Sequence, residues 1–140
     1  GKVNTGSDSG FIFQLYGFAY IREMELLREA GFHPLEVIRA ATLSGAETLK
    51  MDDKIGTIEV GKIADMVLLD SNPLENLKVL YGTGAIKLNE NNEVVRVGGI
   101  KYTISNGVIY DAKGLLNEVK MMVDRAKKEE GFEIKQPGVN

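Results

Sequence analysis

A carboxylate set between glycines is the residue pattern in this chain that most directly suggests chemistry. The run is Gly6-Ser7-Asp8-Ser9-Gly10. The glycines allow the backbone to turn tightly, and an Asp at the end of a strand projects into the cleft at the sheet edge. A carboxylate placed there can bind a metal ion or act as a general base. The same pentapeptide also fits an Asx turn or a cap for the following helix, and both interpretations stay open at this point.

The other polar residues that stand out favour structural roles. His33 is the only histidine, whereas a catalytic zinc site usually uses two or three imidazoles with a carboxylate. It stands directly before a proline at the start of a predicted helix, so we expect a structural or surface role. Asp65 interrupts an apolar strand, and we expect it to form a buried pair with a Lys or a backbone donor. Gln14 and Tyr16 follow Asp8 closely enough to line a cleft, but helix packing or exposure explains them equally well.

Composition excludes several classes of protein. The 140 residues carry 17 Lys and Arg against 20 Asp and Glu, a formal net charge of −3, which leaves no basic face for nucleic acid or an anionic membrane. Apolar residues make up 44% and charged residues 26%, as in an ordinary globular domain. There is no cysteine, so disulfides and thiolate chemistry are excluded. No apolar run approaches the roughly 18 residues of a membrane span and no signal peptide is visible, so we expect a cytoplasmic protein.

The first part of the chain is predicted to be mainly helical. A short strand is expected to end at Asp8, before the glycine-rich loop. Apolar residues at helical spacing predict a helix over about residues 17–30, with Gly31 as its C-terminal cap. A second helix is predicted from Pro34 to about Lys50.

Beyond Asp53 the pattern changes to short strands and one long helix. A hairpin is predicted around Gly61-Lys62, which joins an alternating segment at residues 58–60 to an apolar segment at residues 64–69. A second pair of strands is expected around the Gly- and Asn-rich segment 82–93, and a third hairpin at Asn106-Gly107, the strongest short turn signal in the chain. An amphipathic helix then ends at Gly131; its apolar stripe is formed by Leu115, Leu116, Val119, Met122, Val123 and Ala126.

Taken in order, these segments resemble the C-terminal portion of the metal-dependent amidohydrolase superfamily, and above all its imidazolonepropionase-like and Xaa-Pro dipeptidase-like group. The resemblance covers about residues 3–111. Besides Asp8, the matching residues stand in the family's order and near its spacing: Gly31, Pro34, Ala40-Ala41-Thr42, Ala46, Gly56, Gly61-Lys62, Ala64-Asp65, Asn72-Pro73, Asn106-Gly107 and Tyr110-Asp111.

The resemblance implies an α/β fold made of a (β/α)8 barrel with an attached β-sandwich. Residues 1–53 would be the C-terminal piece of the barrel, its last strand and the following helices, and residues 54–111 would be sandwich strands. The amphipathic helix would occupy residues 112–131, and residues 132–140 would be an unstructured tail. Asp8 would lie at the C-terminal end of the last barrel strand, where such barrels carry their catalytic groups. In the family this Asp is both a metal ligand and the base that activates water to hydrolyse a C–N bond.

The resemblance also implies what the chain lacks. Family members use an H-x-H pair, a Lys or Glu, and further His residues from earlier strands, and none of these is in the chain. We therefore expect the parent protein to use a divalent metal, with zinc as the first expectation, and the chain alone to bind none and to be inactive. The expected partners are a small-molecule or dipeptide-like substrate and the missing N-terminal barrel portion. Apolar faces left uncovered would favour self-association.

Two other classes of function remain open on the sequence. The strands and the amphipathic helix could form a small non-enzymatic α+β module that binds a partner. Alternatively, the chain could be one half of a split hydrolase whose other half, rich in His, is a separate chain. A compact monomer without metal dependence would favour the first, and co-purification with a His-rich partner would favour the second.

Overall fold

Helices dominate the first part of the chain and antiparallel strands the second, in a computed structural model that describes residues 1–131. The elements are α1 (Phe18–Glu29), α2 (Pro34–Ala40), α3 (Leu43–Leu49), β1 (Met66–Leu69), a short 3-10 helix (Leu77–Leu80), β2 (Ala85–Leu88), β3 (Val94–Val97), β4 (Ile100–Ser105), β5 (Val108–Asp111) and α4 (Ala112–Glu130). The mixed α/β class predicted from the sequence is confirmed. The predicted tail, residues 132–140, lies outside the described residues.

The core lies where the two parts meet. Ile21 and Met24 from α1 and Val37 from α2 pack with Leu77 of the 3-10 helix in one buried cluster. These residues follow helical spacing on α1 and α2, so each helix turns one apolar stripe inward. Leu77 comes from the segment between β1 and β2, and the cluster therefore ties the helices to the strand-bearing half of the chain.

Two predictions for the first 50 residues need correction. No strand is present among residues 1–8, because a strand is held by backbone hydrogen bonds to a neighbour and no described segment lies alongside to provide them. The single helix predicted from Pro34 to about Lys50 is two helices, α2 and α3. Thr42 leaves helical geometry between them (φ −131°, ψ −91°), and its hydroxyl donates to the Ile38 carbonyl oxygen at 2.7 Å. The helix predicted over about 17–30 is confirmed as α1, with Gly31 at φ +100° after its end.

The hairpin predicted around Gly61-Lys62 is also wrong. Only its second arm becomes a strand, as β1, and Ile58 and Val60 are exposed in an irregular loop. Lys62 closes this loop through a hydrogen bond to the Thr57 hydroxyl and an ion pair with Glu59 at 3.4 Å. Alternating residues predicted a strand there, but a strand needs a partner, and β1 pairs with β4 instead.

Two antiparallel sheets form the second half. The three-stranded sheet has the order β1-β4-β5, with Met66 opposite Ile104 and Ser105 opposite Val108. The second sheet pairs β2 with β3, which confirms a second pair of strands, but β2 lies inside the segment 82–93 that was predicted to be the turn, and the turn itself is limited to residues 89–93. At the turn between β4 and β5, Asn106 and Gly107 have φ values of +48° and +81°. Positive φ at both positions defines a type I′ turn, which confirms the Asn-Gly hairpin.

Asp65 fixes this turn from outside the hairpin. Its Oδ1 accepts the Asn106 backbone N–H at 2.6 Å, and the neighbouring Ala64 carbonyl accepts the Gly107 N–H at 3.0 Å. The predicted backbone donor is therefore confirmed, although Asp65 is exposed and the predicted burial is wrong. The contact joins segments 41 positions apart in the sequence.

Replacing Asp65 by alanine is expected to lower the free energy of unfolding by about 1 kcal/mol, because the Asn106 N–H loses a charged acceptor. Asp65→Asn keeps an acceptor oxygen in the same place and is the matched control, with a smaller loss expected. Urea unfolding of the two variants measures the difference. Equal losses for Ala and Asn would show that the hydrogen bond to Asn106 does not stabilise the chain.

The C-terminal helix α4 is capped at both ends. Asp111 accepts the backbone N–H groups of Lys113 and Gly114 at 3.1 Å each, and Gly131 ends the helix in the left-handed conformation, as predicted.

Asp70, directly after β1, forms ion pairs with Lys101 of β4 at 3.4 Å and with Lys113 of α4 at 3.1 Å. The hydrogen bond from Lys113 is the main reason that the pKa of Asp70 is lowered. Among residues 1–131, no helix combines the length and apolar character that crossing a membrane requires.

Candidate functional site

The segment that carries Asp8 is attached to the helices by side-chain contacts and not by the backbone hydrogen bonds of a sheet. Lys2 forms an ion pair with Glu47 of α3 at 2.8 Å, and the side chains of Asn4 and Thr48 are hydrogen-bonded at 2.6 Å. Further along, the Thr5 hydroxyl donates to the Tyr20 hydroxyl oxygen at 2.7 Å, and the Tyr20 hydroxyl donates in turn to the Ala41 carbonyl at 3.0 Å. The segment is thereby attached to α3 and to the junction of α1 with α2.

Asp8 itself lies exposed in a tight loop with φ at +44°, a conformation that Asp and Asn tolerate better than most residues. The hydroxyls of Ser7 and Ser9, on either side, are hydrogen-bonded to each other at 2.7 Å. Gly10, at φ +98°, donates its backbone N–H to the Gln14 carbonyl at 2.9 Å and closes the loop. The glycine-flanked run therefore forms a turn, as its composition predicts.

An open cleft of about 680 Å³ lies beside Asp8. Its walls come from the loop and from α1, and apolar side chains form most of them. Gln14 lines the cleft, whereas Tyr16, the other residue considered for this role, is 78% exposed and is not among the lining residues. Arg22 is the cation of the lining, and its guanidinium is held by Glu29 at 3.0 Å. The cleft is therefore largely apolar, with the carboxylates of Asp8 and Glu23 in its lining.

Tyr81 forms the part of the cleft that lies farthest from Asp8 in the sequence. Its ring stacks on Phe18 with centroids 5.8 Å apart, and its hydroxyl donates to Glu25 Oε2 at 2.9 Å. Glu25 is also paired with Lys78 at 3.6 Å, so its carboxylate is held from two sides. Burial, reinforced by the hydrogen bond to the Glu25 carboxylate, raises the pKa of Tyr81 to about 12.

This raised pKa predicts a loss of stability at alkaline pH. Above pH 10 the unfolded chain releases the Tyr81 proton while the folded chain keeps it, so the free energy of unfolding falls from about pH 10 to about pH 12. Tyr81→Phe removes this titration, and we expect a shallower decline over that interval in urea unfolding measured at several pH values. Parallel declines for the two proteins would contradict the assignment.

The described residues do not fit a metal ion by themselves. Within residues 1–131, no cluster of three or more His, Cys, Asp or Glu side chains could hold one. Asp8 supplies a single carboxylate, and His33 lies exposed at the start of α2, where its backbone N–H donates to Glu36 Oε2 at 2.7 Å. The surface role predicted for His33 is confirmed.

The sequence pointed to Asp8 and raised Gln14 as a cleft residue, but it did not identify three other lining residues. Arg22 and Glu23 line the cleft from α1, and Tyr81 lines it from the segment before β2. Arg22 lies on the polar side of α1, where charged residues are common, so the sequence did not mark it as a cleft residue. Tyr81 could not have been found, because only the packing of the 3-10 helix against α1 brings it to the cleft.

The chain belongs to the amidohydrolase family, whose model matches residues 2–110. The resemblance recognised in the sequence is thus confirmed over nearly the same residues. Members of this family generally bind divalent metals. The match covers α1 to α3 and all five strands of the described chain apart from the last residue of β5, and it ends before α4.

Individual relatives agree with the family but are much longer than the matched segment. An imidazolonepropionase from Caldanaerobacter subterraneus subsp. tengcongensis is 35% identical over 61% of this chain and 18% of its own length. A 5'-deoxyadenosine deaminase from Methanobrevibacter smithii is 32% identical over 50% of this chain and 16% of its own length. The structure of a putative prolidase from Bifidobacterium longum superposes with a TM-score of 0.59, at 31% identity, over 84% of this chain and 27% of that one. The chain therefore spans less than a third of each of these relatives.

Proposed function

We propose that this chain is the C-terminal part of a larger hydrolase that cleaves C–N bonds in small molecules, such as amides, cyclic amides or dipeptides, and that Asp8 is its general base. The observation that carries the proposal is the family match over residues 2–110, which includes Asp8, its cleft and both sheets. In this assignment residues 1–53 belong to the barrel, residues 54–111 to an attached β-sandwich and residues 112–131 to a C-terminal helix.

Uncovered apolar surface supports a larger protein. A groove of about 860 Å³ runs between α1, α2 and the three-stranded sheet, and its lining is almost entirely apolar. Met24 and Ile21 lie at its floor, and Ile58, which is 84% exposed, stands at its edge. Apolar surface of this extent is rarely left open to water, because burial stabilises it by roughly 25 cal/mol per Å². The remainder of the barrel is the cover that we propose for this groove.

Asp8 has the properties that a general base needs. Its carboxylate is exposed at an open cleft, and no hydrogen bond or ion pair with its side chain is found among residues 1–131. An unpaired carboxylate can take a proton from an attacking water and return it to the leaving nitrogen. Since residues 1–131 hold no cluster of three or more possible ligands, Asp8 would be one ligand of a metal site completed by residues outside this range.

The experiment is to purify the protein that contains this chain together with the rest of the barrel and to assay amides, cyclic amides and dipeptides. The enzyme is dialysed against a chelator and assayed before and after addition of Zn²⁺. Hydrolysis of at least one substrate, lost on chelation and restored by Zn²⁺, is the expected result. Absence of C–N hydrolysis across the panel, in a folded and metal-loaded enzyme, would refute the proposal.

A further inference from the structure

The apolar stripe of α4 has the spacing of a helix-pairing seam. Leu115, Val119, Met122 and Ala126 follow one another at intervals of 4, 3 and 4 residues, the a and d positions of a heptad. The stripe is largely open: Val119 is 57% exposed and Met122 is 69% exposed. The family match ends before this helix.

The two flanks of the seam differ in chemistry. One flank carries the apolar residues Leu116 and Val123, and the other carries the opposite charges Glu118 and Arg125. In a parallel helix pair, the charged flank of one helix would face the apolar flank of the other. In an antiparallel pair, each flank faces its own copy, so Glu118 meets Arg125 of the second helix and the apolar residues meet each other.

We propose that α4 is a self-association surface on which the α4 helix of a second copy of this chain packs antiparallel. The two-fold axis passes between Lys120 and Met121, which places Val119 opposite Met122 and Leu115 opposite Ala126 of the other copy. The large Leu115 side chain then meets the small side chain of Ala126. The symmetry produces two Glu118–Arg125 ion pairs across the seam, and the same patch serves both copies, as in an isologous dimer.

The contacts that α4 already makes are compatible with this pairing. The cleft of about 420 Å³ between α4 and the three-stranded sheet is lined on the helix side by Ala112, Leu115, Leu116 and Val119. Met122 and Val123 are not part of that lining, and they extend the stripe beyond it. In the antiparallel pair, Ala126 and Met122 of one copy would lie over Leu115 and Val119 of the other, which are 48% and 57% exposed beside this cleft.

Charge reversal tests the pairing directly. Glu118→Arg and Arg125→Glu each turn two attractive pairs into two repulsive ones, and each variant alone is expected to dimerise at least about tenfold more weakly. An equimolar mixture of the two variants restores both pairs and is expected to recover the original association, as is the double variant. Asp124→Arg and Lys120→Glu, with the same charge changes on the outward side of α4, are the matched controls and should leave association unchanged.

Sedimentation equilibrium of the full 140-residue chain gives the dissociation constants, and circular dichroism checks that α4 stays helical. Recovery in the mixture, with unaffected controls, supports the antiparallel pair. A monomeric unaltered chain would overturn the proposal, as would single variants that associate normally or a mixture no better than its components. If the copies associated instead through the apolar groove near α1, neither charge reversal would change the dissociation constant, and the proposal would be overturned.

Discussion

Replacing Asp8 by asparagine is expected to lower C–N bond hydrolysis by the whole enzyme by a factor of about 10²–10⁴, because the amide cannot accept the proton of the attacking water. Asparagine is chosen because it is nearly isosteric and tolerates the left-handed backbone that Asp8 adopts at φ +44°. Alanine at the same position would add backbone strain and confuse loss of the base with distortion of the loop.

The rate is measured with the substrate that the unaltered enzyme hydrolyses best, and thermal unfolding confirms that the fold is retained. Asp53→Asn is the matched control, since it makes the same chemical change at an exposed carboxylate that is not part of the cleft lining. Turnover within a few fold of the unaltered enzyme would remove Asp8 from the mechanism. An equal loss in the Asp53 variant would attribute the effect to charge and not to position.

The largest effect on stability is expected from Val37→Ala. Val37 is fully buried, at 0% exposure, in the cluster that joins α1, α2 and the 3-10 helix. Removing two methyl groups there costs the transfer free energy of those groups and leaves a cavity that α1 and α2 can only partly close, together about 2–3 kcal/mol. This is a large share of the stability of a domain of this size.

Val60→Ala makes the same substitution where the side chain is fully exposed, and it should change the free energy of unfolding by less than about 0.5 kcal/mol. Urea unfolding of both variants gives the comparison. A small loss for Val37→Ala, close to that of the control, would mean that the helical cluster does not stabilise the chain.

Local patterns predicted those elements whose partners lie close in the sequence. The amphipathic helix α4, the apolar face of α1 and the Asn106-Gly107 turn all follow from residues within a few positions of each other. The strand predicted to end at Asp8 and the first arm of the hairpin at residues 58–60 are absent for the converse reason. Alternating or extended sequences form strands only beside a partner, and the sequence does not show where that partner lies.

In the candidate site too, the local features could be predicted from the sequence and the long-range contacts could not. Asp8 was recognisable because glycines and serines flank it and because the segments that follow resemble a family. The stacking of Tyr81 on Phe18 and the attachment of residues 2–5 to α3 depend on tertiary packing, which brings together side chains far apart in the sequence. Such contacts leave no local periodicity by which they could be found. The metal-binding role of Asp8 and the division into barrel and sandwich remain predictions.

The contact between Asp65 and the Asn106-Gly107 turn has a consequence for the order in which the sheet folds. Strands β4 and β5 are joined by a two-residue turn, so their hairpin can close within microseconds. Adding β1 to β4 closes a loop of about 30 residues and costs more chain entropy, which makes it a later event. Asp65, one residue before β1, reaches the turn only when that later pairing is complete. Its substitution should therefore accelerate unfolding and leave the rate of hairpin formation nearly unchanged.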